Sequence, residues 1–452
     1  MMKAASPFGF RVGRGTLDNF ASPSFTTHSS TIAHKVHRIS ELILYPTRFT
    51  LQRIARIIQP APGNRSRSLR RISSTAWTVL GIPFGAAALA AGLPLRALDH
   101  CFRPPFSYMK APNAQEPRAL EDRKVLHIRT HNLGLVPTSL STLNDLSDPL
   151  ERARTILNWI IKGSNQPDMI FFQEVFHEDA QRLLCEGLAA AYPYILHSIC
   201  PTFLGLSSGY CVASKFPIDE IEFHRFHQMI GPEKLSQRGI LRVRIPAEGG
   251  FLDLFALHAQ AIQGKRRAKV RLAQYAQLEA MVAASDSAFK VILGDFNTSR
   301  LTLEGADNLD PPGLSEAAVY KALQESYRDL FLEDHDELGN RTKGARLFTD
   351  DPLPEPTGSW AFGPQGTTGT ALKKWVCGVK RKSGERERPI TWGTPEWQRE
   401  QPACTARLDY ILLPKESRLK GRAEVRRTEV PSDATSAPSD HLAVDAIIEK
   451  FI

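Results

Sequence analysis

The chain has 452 residues, more than one hydrophobic core usually organises, which predicts one large domain with an extra segment, or two domains. Its 42% hydrophobic and 23% charged residues are ordinary for a globular protein and exclude disorder along the whole chain. The net charge of +9 is uneven: residues 1–124 carry +12 and the remainder carries −3, which argues against a tight grip of the remainder on a long polyanion.

Residues 1–123 form a basic N-terminal segment in this interpretation. The chain does not start with a short basic stretch followed directly by an apolar core, so a cleavable signal peptide is not expected. Residues 72–95 are 24 positions without a charge, and a group of arginines precedes them. That length can cross a bilayer, and basic flanks are typical of membrane segments. We therefore expect the protein to be membrane-associated.

The uncharged stretch has a second interpretation, an Ala-rich helical hairpin buried against the domain. Pro83, Pro94 and three glycines favour a broken or re-entrant segment over one straight span. Residues 103–123, which contain Pro104, Pro105 and Pro112, are predicted to be a linker. The six cysteines show no CxxC spacing or Cys/His cluster, so no zinc site is predicted, and we favour reduced thiols over disulfides.

From residue 124 the pattern changes to short apolar runs separated by turns and amphipathic helices. A strand over 125–131 delivers Asn132 at its end, and a helix is predicted over 149–162. A second buried strand, 167–172, is followed by Gln173 and Glu174. A glutamate at the point where an apolar strand emerges is well placed as an oxygen ligand for a hard cation.

Two more apolar strands end in polar residues. Residues 251–257 lead to His258, and residues 290–293 lead to Asp295 and Asn297. Because Asp295 and Asn297 are two positions apart, extended backbone would project both to the same side, where they can face one phosphate. A single polar residue at the end of a strand is usually only exposed to solvent. Several such residues, one after each of several strands, predict an active site.

The last pair of site residues, Asp409 and His441, is predicted from the free-energy cost of burying an unpaired charge. Asp409 lies inside the apolar strand 408–413, where an unpaired charge is unfavourable. We expect its partner to be His441, which stands at the start of another apolar run. A buried aspartate that orients a histidine is a recurring device of electrostatic and acid/base catalysis.

With these residues, the sequence resembles the endonuclease/exonuclease/phosphatase superfamily over residues 124–452. The resemblance is carried, in chain order, by Asn132, Gln173-Glu174, His258, Gly294-Asp295-Phe296-Asn297, Arg407-Leu408-Asp409-Tyr410 and Ser439-Asp440-His441. It implies a four-layered α/β sandwich, in which two mixed β-sheets pack face to face between helices and the active site lies at one end of the sheets. Residues 1–123 then add a helical N-terminal segment.

The resemblance also implies a metal-dependent phosphoric diester hydrolase. By that resemblance Asn132 and Glu174 hold a magnesium ion, for which manganese is the alternative. Asp440 completes the site, either as a ligand of a second metal or as a charge partner.

The remaining catalytic roles come from the same resemblance. Asp295 activates the attacking water, and Asn297 binds the phosphate. His258 contacts a phosphate oxygen. His441, oriented by Asp409, stabilises the charge that develops on the phosphoryl group, since neutralising that charge lowers the barrier.

The substrate is indicated by further motifs. The stretches 208–218, 237–239 and 257–260, and Thr391-Trp392 ahead of Asp409, look most like the neutral sphingomyelinase branch. Two departures are that Gly393-Thr394-Pro395 replaces the branch's Asp-Pro, and that the asparagine expected shortly afterwards is absent. This branch implies a phospholipid substrate and a membrane surface as partners, with nucleic acid less favoured.

The sequence was also compared with alternative functions. Metal-dependent deoxyribonucleases share the histidine at 258 and are the main rival. This chain lacks the Pro-Trp-Cys-Asp-Arg-like sequence of inositol polyphosphate phosphatases, in whose place it has residues 404–409, and it lacks the Asn-x-Tyr sequence of abasic-site endonucleases near His258. A non-catalytic membrane-bound scaffold would have lost at least one catalytic position, and none is lost. Residues 300–404 are predicted to be an insertion, which is either a substrate-selecting lid or a tolerated surface excursion.

Overall fold

The computed structural model describes residues 9–28, 30–58, 64–112, 125–143, 147–163, 166–247, 249–261, 265–298, 316–333, 407–426, 428, 438–439 and 441–449. The helices are α1 (Arg14–Leu17), α2 (Thr31–Ile58), α3 (Asn64–Cys101), α4 (Thr138–Leu143), α5 (Pro149–Lys162), α6 (Glu178–Leu188), α7 (Lys265–Ala284) and α8 (Glu316–Ser326). Two 3₁₀ turns cover Asp18–Phe20 and Gly231–Leu235.

The strands form two mixed sheets. In spatial order, the first sheet contains β1 (Gly9–Gly13), β8 (Glu220–Arg225), β9 (Gly239–Ala247), β10 (Gly250–His258), β11 (Phe289–Asp295), β13 (Asp409–Pro414) and β12 (Tyr327–Asp329). The second contains β14 (Lys420–Arg426), β15 (Ala443–Glu449), β4 (Val125–Leu135), β5 (Met169–Val175), β7 (Cys211–Ser214), β6 (Tyr194–His197), β3 (Ser107–Lys110) and β2 (Ala21–Ser22). The pairs β10/β11 and β4/β5 are parallel, while β11/β13 and β15/β4 are antiparallel.

Three apolar clusters define the layers. One lies between the sheets and joins side chains such as Ile128 of β4 and Val291 of β11. A second packs α5 and α6 on the outer face of the second sheet, and a third packs α7 and α8 on the outer face of the first. Each sheet is therefore buried on both faces, which explains its near-continuous apolar strands. The predicted four-layered sandwich is confirmed.

The N-terminal segment contributes strands to both sheets. β1 pairs with β8 at one edge of the first sheet, and β3 pairs with β6 near one edge of the second. The prediction of a linker is wrong for β3, because Phe106 and Tyr108 alternate into the core between the sheets. Residues 316–333, inside the predicted insertion, supply α8 and β12. The rest of that insertion lies outside the described residues.

Helices α2 and α3 form an antiparallel hairpin. The hydroxyl of Thr47 donates to the Gly85 carbonyl (2.7 Å), and that of Thr50 donates to the Gly81 carbonyl (3.2 Å). A Cβ at Gly81 would lie 2.7 Å from the Thr50 hydroxyl oxygen, so these glycines allow close approach of the helices. The expected break in the segment is therefore wrong: the backbone of α3 is helical throughout, with Pro83 and Pro94 inside it.

The apolar half of α3 is exposed, which also contradicts the buried hairpin. Among the described residues, one stretch, Gly81–Cys101, is long and apolar enough to cross a membrane by length and composition, and little of it is buried. Phe84 is 71% exposed and Ile82 is 54% exposed. Apolar side chains that are uncovered over such a length mark an interaction surface.

A buried charge cluster fixes the base of the hairpin to the sandwich. The carboxylate of Asp99 lies 2.6 Å from His28 Nε2 and 3.2 Å from the Nε of Arg103. His37 lies 3.2 Å from Asp99 and 3.3 Å from Glu178, at the start of α6. Burial alone would raise the pKa of Glu178, but its hydrogen bond to His37 lowers that pKa to about 2. The hairpin is thus docked through ions that have partners, as burial requires.

Gly294, which precedes the predicted catalytic Asp295, gives a test of this packing. It has a φ of +131°, and a Cβ there would lie 2.0 Å from the Leu257 carbonyl oxygen. We expect Gly294→Ala to lower the free energy of unfolding by about 3 kcal/mol or more, from backbone strain and overpacking together. Chemical denaturation would measure this.

The matched control is Gly249→Ala, which shares a positive φ (+71°) but meets nothing within 4 Å. It should lose only about 1 kcal/mol, the cost of the backbone conformation alone. Equal losses in the two variants would contradict the close approach at Gly294.

Candidate active site

The predicted site residues come from strand ends of both sheets. Antiparallel and parallel pairing places His258, Asp295 and Asp409 side by side, because His258 pairs with Asp295 and Asp295 pairs with Asp409. In the second sheet, Asn132 pairs with Gln173, the neighbour of Glu174. Residues that are hundreds of positions apart in sequence therefore meet at one end of the sandwich.

One carboxylate oxygen, Oδ2 of Asp295, is the centre of the site. The amide Nδ2 of Asn132 donates to it at 3.0 Å. The Nε2 atoms of His258 and His441 lie 3.5 Å and 3.9 Å from the same oxygen. Asp295 is 1% exposed, so these groups surround a carboxylate that is shielded from bulk water. Both sheets thus contribute to the environment of a single atom.

Asn297 is close to Asp295 for a reason other than the one predicted. Its backbone N–H donates to Asp295 Oδ1 at 2.9 Å, and its side-chain amide donates to the Ala259 carbonyl at 3.1 Å. The strand ends at Asp295, and Asn297 has a φ of +50°. Strand alternation was therefore the wrong argument: a local turn, in which the aspartate caps the backbone, makes the pair.

The predicted partnership of Asp409 and His441 is confirmed. Nδ1 of His441 lies 2.7 Å from Asp409 Oδ2, and both residues are buried. Ser439 holds the histidine segment, since its hydroxyl accepts from the His441 N–H (3.0 Å) and donates to the Asn132 carbonyl (2.7 Å). With Nδ1 paired to the carboxylate, Nε2 of His441 is directed to the centre of the site.

His131 supports His441 from behind. Burial lowers the pKa of His131 to about 4, so its ring is neutral at physiological pH. Its Nε2 lies 3.2 Å from the His441 carbonyl oxygen, to which a protonated Nε2 donates. The main chain of His441 is thereby held as well as its side chain.

Among the described site residues, Glu174 has the most exposed carboxylate, with 20% of its side chain accessible. Its φ of +56° is unusual for a residue with a side chain and is typical of functional positions. Oε1 of Glu174 lies 3.4 Å from His258 Nε2 and 3.4 Å from a terminal nitrogen of Arg238. These long contacts leave the carboxylate able to take a cation.

The donors present fit a hard divalent cation. Magnesium prefers oxygen ligands, and manganese accepts the same donors. The Glu174 carboxylate and the Asn132 amide stand at neighbouring strand ends. A second group whose ligand atoms lie within 4.8 Å of one another comprises Asp295, Asp409 and His441. The assignment of the metal to Asn132 and Glu174 stays a prediction, and Asp440 lies outside the described residues.

Arg238 is a member of the site that the residue-by-residue prediction did not include. It is 8% exposed, and its guanidinium reaches both Glu174 and the Ala259 carbonyl (2.9 Å). The motif 237–239 was visible in the sequence, but nothing local indicated that its arginine would cross to the other sheet. Ser439 was likewise visible only as part of a motif.

Comparison with known proteins gives a consistent picture. A family model described as "Endonuclease/Exonuclease/phosphatase family" matches residues 130–441. Sphingomyelin phosphodiesterase 5 of Mus musculus is 26% identical over 321 residues, which are 59% of this chain and 66% of that protein. Sphingomyelinase C of Leptospira interrogans is 33% identical over 152 residues, 30% of this chain and 26% of that protein. The chain thus spans less than two thirds of the length of these relatives.

Among solved structures, a beta toxin variant from Staphylococcus aureus with bound magnesium ions matches with a TM-score of 0.45 and 16% identity. The match covers 71% of this chain and 98% of that chain.

The tautomer of His441 can be tested directly. We expect the neutral ring to carry its proton on Nδ1, because Asp409 Oδ2 accepts from that atom. In Asp409→Asn the amide can turn its NH₂ group toward Nδ1, which favours the proton on Nε2. Two-dimensional ¹H–¹⁵N correlations of the imidazole at alkaline pH would distinguish the two forms.

Asp445→Asn is the control, because Asp445 is also buried but pairs with Arg129 at 2.6 Å, away from the site. An unchanged His441 spectrum in Asp409→Asn would contradict the orienting role of the aspartate.

Proposed function

We propose that this chain, which belongs to the endonuclease/exonuclease/phosphatase family, hydrolyses a phospholipid headgroup ester as a magnesium-dependent, sphingomyelinase-like phosphodiesterase. The observation that carries the proposal is the convergence of Asn132, His258 and His441 on one oxygen of Asp295. Such a site has a base, two imidazoles and oxygen donors within reach of one reacting group, which is what phosphodiester hydrolysis requires. The lipid substrate is supported by the sphingomyelinase names of the relatives.

Asp295 is the proposed base. Its Oδ2 accepts a proton from the attacking water, while Oδ1 stays fixed by the Asn297 N–H. Asn132, through Nδ2, holds the direction of the carboxylate across the sheets. A carboxylate held from both sides has little freedom to turn, so it presents one lone pair to the water at all times.

His441 is the proposed stabiliser of charge on the phosphoryl oxygens. Asp409 fixes the ring and favours its protonated form as negative charge develops on the substrate. His258 and Asn297 are the proposed contacts to the other phosphate oxygens. Preorganised donors of this kind contribute in a water-poor site without reorganising during the reaction.

Glu174 and Asn132 are the proposed metal ligands, and Asp440 is the proposed second-metal ligand or charge partner. Magnesium, when bound, supplies positive charge against the phosphoryl oxygens and leaving group.

The exposed half of α3 is the proposed membrane contact. Its uncovered apolar side chains would lie in the lipid, and the Asp99 cluster keeps the sandwich close to that surface. A membrane-held hydrolase finds a lipid substrate in the same surface to which it is bound. The proposed membrane contact and the proposed lipid substrate thus support each other.

The test of substrate is hydrolysis of sphingomyelin vesicles beside double-stranded DNA, with the wild type, Asp295→Ala and His441→Ala. We expect phosphocholine release by the wild type that falls by at least about 10³-fold in either variant, because each removes a group on which the reaction depends. A chelator should abolish release, and added magnesium should restore it.

The control is Asp286→Asn, which should retain activity because the Asp286 carboxylate is exposed. Asp253→Ala would not serve, because it breaks a buried ion pair with Arg244. Cleavage of DNA without release of phosphocholine would assign the protein to the nuclease alternative. Hydrolysis of neither substrate by folded wild type would refute the proposed substrate.

The membrane contact predicts a second result. We expect Phe84→Glu to weaken binding to lipid vesicles by on the order of 100-fold, because a charge within the apolar layer costs about 3 kcal/mol. Vesicle flotation with full-length protein would measure it. Val125→Glu is the control, since Val125 is an exposed apolar residue (45%) at the start of β4. Equal flotation of both variants and the wild type would contradict the assignment.

A further inference from the structure

Strand β4 carries an irregularity directly after Asn132. Its register with β5 shifts between Asn132 and Leu135, and Gly134 has a φ of +57°. The N–H of Gly134 turns inward and donates to Asn132 Oδ1 at 3.1 Å. A bulge of this kind re-aims a side chain, but it also takes main-chain carbonyls out of the sheet, and those carbonyls need other donors.

One buried side chain donates to carbonyls of the bulge. Arg152, in the first turn of α5, donates through NH1 to the Leu133 carbonyl (2.9 Å) and through NH2 to the Gly134 carbonyl (2.7 Å). Its Nε donates to the Ser147 carbonyl at 3.2 Å. Arg152 is only 2% exposed. A guanidinium thus donates to two carbonyls of the bulge, of which that of Gly134 also accepts from the Val136 N–H at 2.7 Å.

The same guanidinium holds a second segment. NH1 of Arg152 donates to the Pro438 carbonyl at 2.9 Å. Pro438 immediately precedes Ser439, whose hydroxyl joins the Asn132 carbonyl to the His441 N–H. Arg152 and Ser439 therefore bind the two segments that carry Asn132 and His441 to each other, although 286 positions separate Arg152 from Pro438.

We propose that Arg152 is a positioning residue for the reaction. It sets the separation of Asn132 and His441, and so the placement of both around Asp295, without touching the reacting atoms. This inference rests on the proposed phosphodiesterase function. An error of about 1 Å in such a placement is enough to reduce catalysis by about 100-fold.

The chemistry of the side chain explains why an arginine serves here. Its planar fork presents five donors in fixed directions and stays charged at any physiological pH. A lysine has one ammonium on a flexible stem and cannot match four separated carbonyls with the same directions. Arg152→Lys should therefore keep the charge and lose the geometry.

Arg129 is a matched control. It is also a buried arginine (5% exposed) in the second sheet, but its hydrogen bonds go to the Asp445 carboxylate and not to the carbonyls that Arg152 binds. Arg129→Lys and Arg129→Ala report what removal of a buried guanidinium does to stability alone.

The experiment uses full-length protein and sphingomyelin vesicles with magnesium. We expect Arg152→Lys to lower kcat by about 100-fold with KM changed by less than about threefold, while Arg129→Lys keeps kcat near the wild-type value. Added guanidinium ion should restore activity to Arg152→Ala and leave the activity of Arg129→Ala unchanged, since only the first variant has lost the donor to carbonyls that orient a catalytic segment.

A readout without turnover completes the test. Magnesium should raise the Tm of the wild type and of Arg129→Lys, and this rise should shrink in Arg152→Lys, because Asn132 is misplaced. If Arg152→Ala fails to fold, the kcat of Arg152→Lys and its magnesium-dependent rise in Tm test the inference on their own. A kcat for Arg152→Lys within about threefold of that for Arg129→Lys would overturn the inference. An inactive wild type whose Tm still responds to magnesium in this residue-dependent way would refute the proposed substrate and leave the positioning role supported.

Discussion

The contact of Asn132 with Asp295 is the interaction on which the site depends. It joins Asn132, which lies directly before the irregularity of β4 in one sheet, to Asp295 at the end of β11 in the other, with 3.0 Å between the amide nitrogen and the carboxylate oxygen. Its existence requires that the sheets pack face to face with the correct offset, which the apolar cluster between them provides. Because such a core is close-packed, a shift of one sheet relative to the other would cost contacts throughout it. The core thereby transmits its rigidity to the reacting groups.

Burial gives these groups their chemical character. Asp295, Asp409 and His441 are nearly inaccessible to solvent, so each needs a partner to remain charged or hydrogen-bonded. The structure provides the partners in pairs that also set directions, as Asp409 does for His441. Glu174 differs, since it is partly exposed and held by long contacts. The site therefore combines a fixed, dry half with an accessible carboxylate, an arrangement suited to a preorganised base beside a metal ligand.

The N-terminal segment is structurally continuous with the sandwich. Its strands extend both sheets, and a buried carboxylate at Asp99 fixes the hairpin to α6, which begins four residues after Glu174. An exposed apolar helix and the candidate catalytic centre thus share one framework. This arrangement is compatible with the proposed action at a lipid surface, because it holds the exposed apolar helix and the site in a constant relation.

The sequence by itself determined that His258 and Asp295 end apolar strands and that Asp409 lies in another, since apolar periodicity and the cost of a buried charge are local properties. Its prediction that Asn132 ends a strand was wrong, because β4 continues past a bulge to Leu135. It predicted Asp409 with His441, and its motifs predicted the layered fold. It did not predict β1 and β3, which are too short for a periodic signal, nor the turn that places Asn297, nor the reach of Arg152 and Arg238. Those features depend on contacts between distant segments. Only the packing of the two sheets decides which carbonyl accepts from which guanidinium. Such contacts depend on distance in space, and they leave no periodic pattern along the chain.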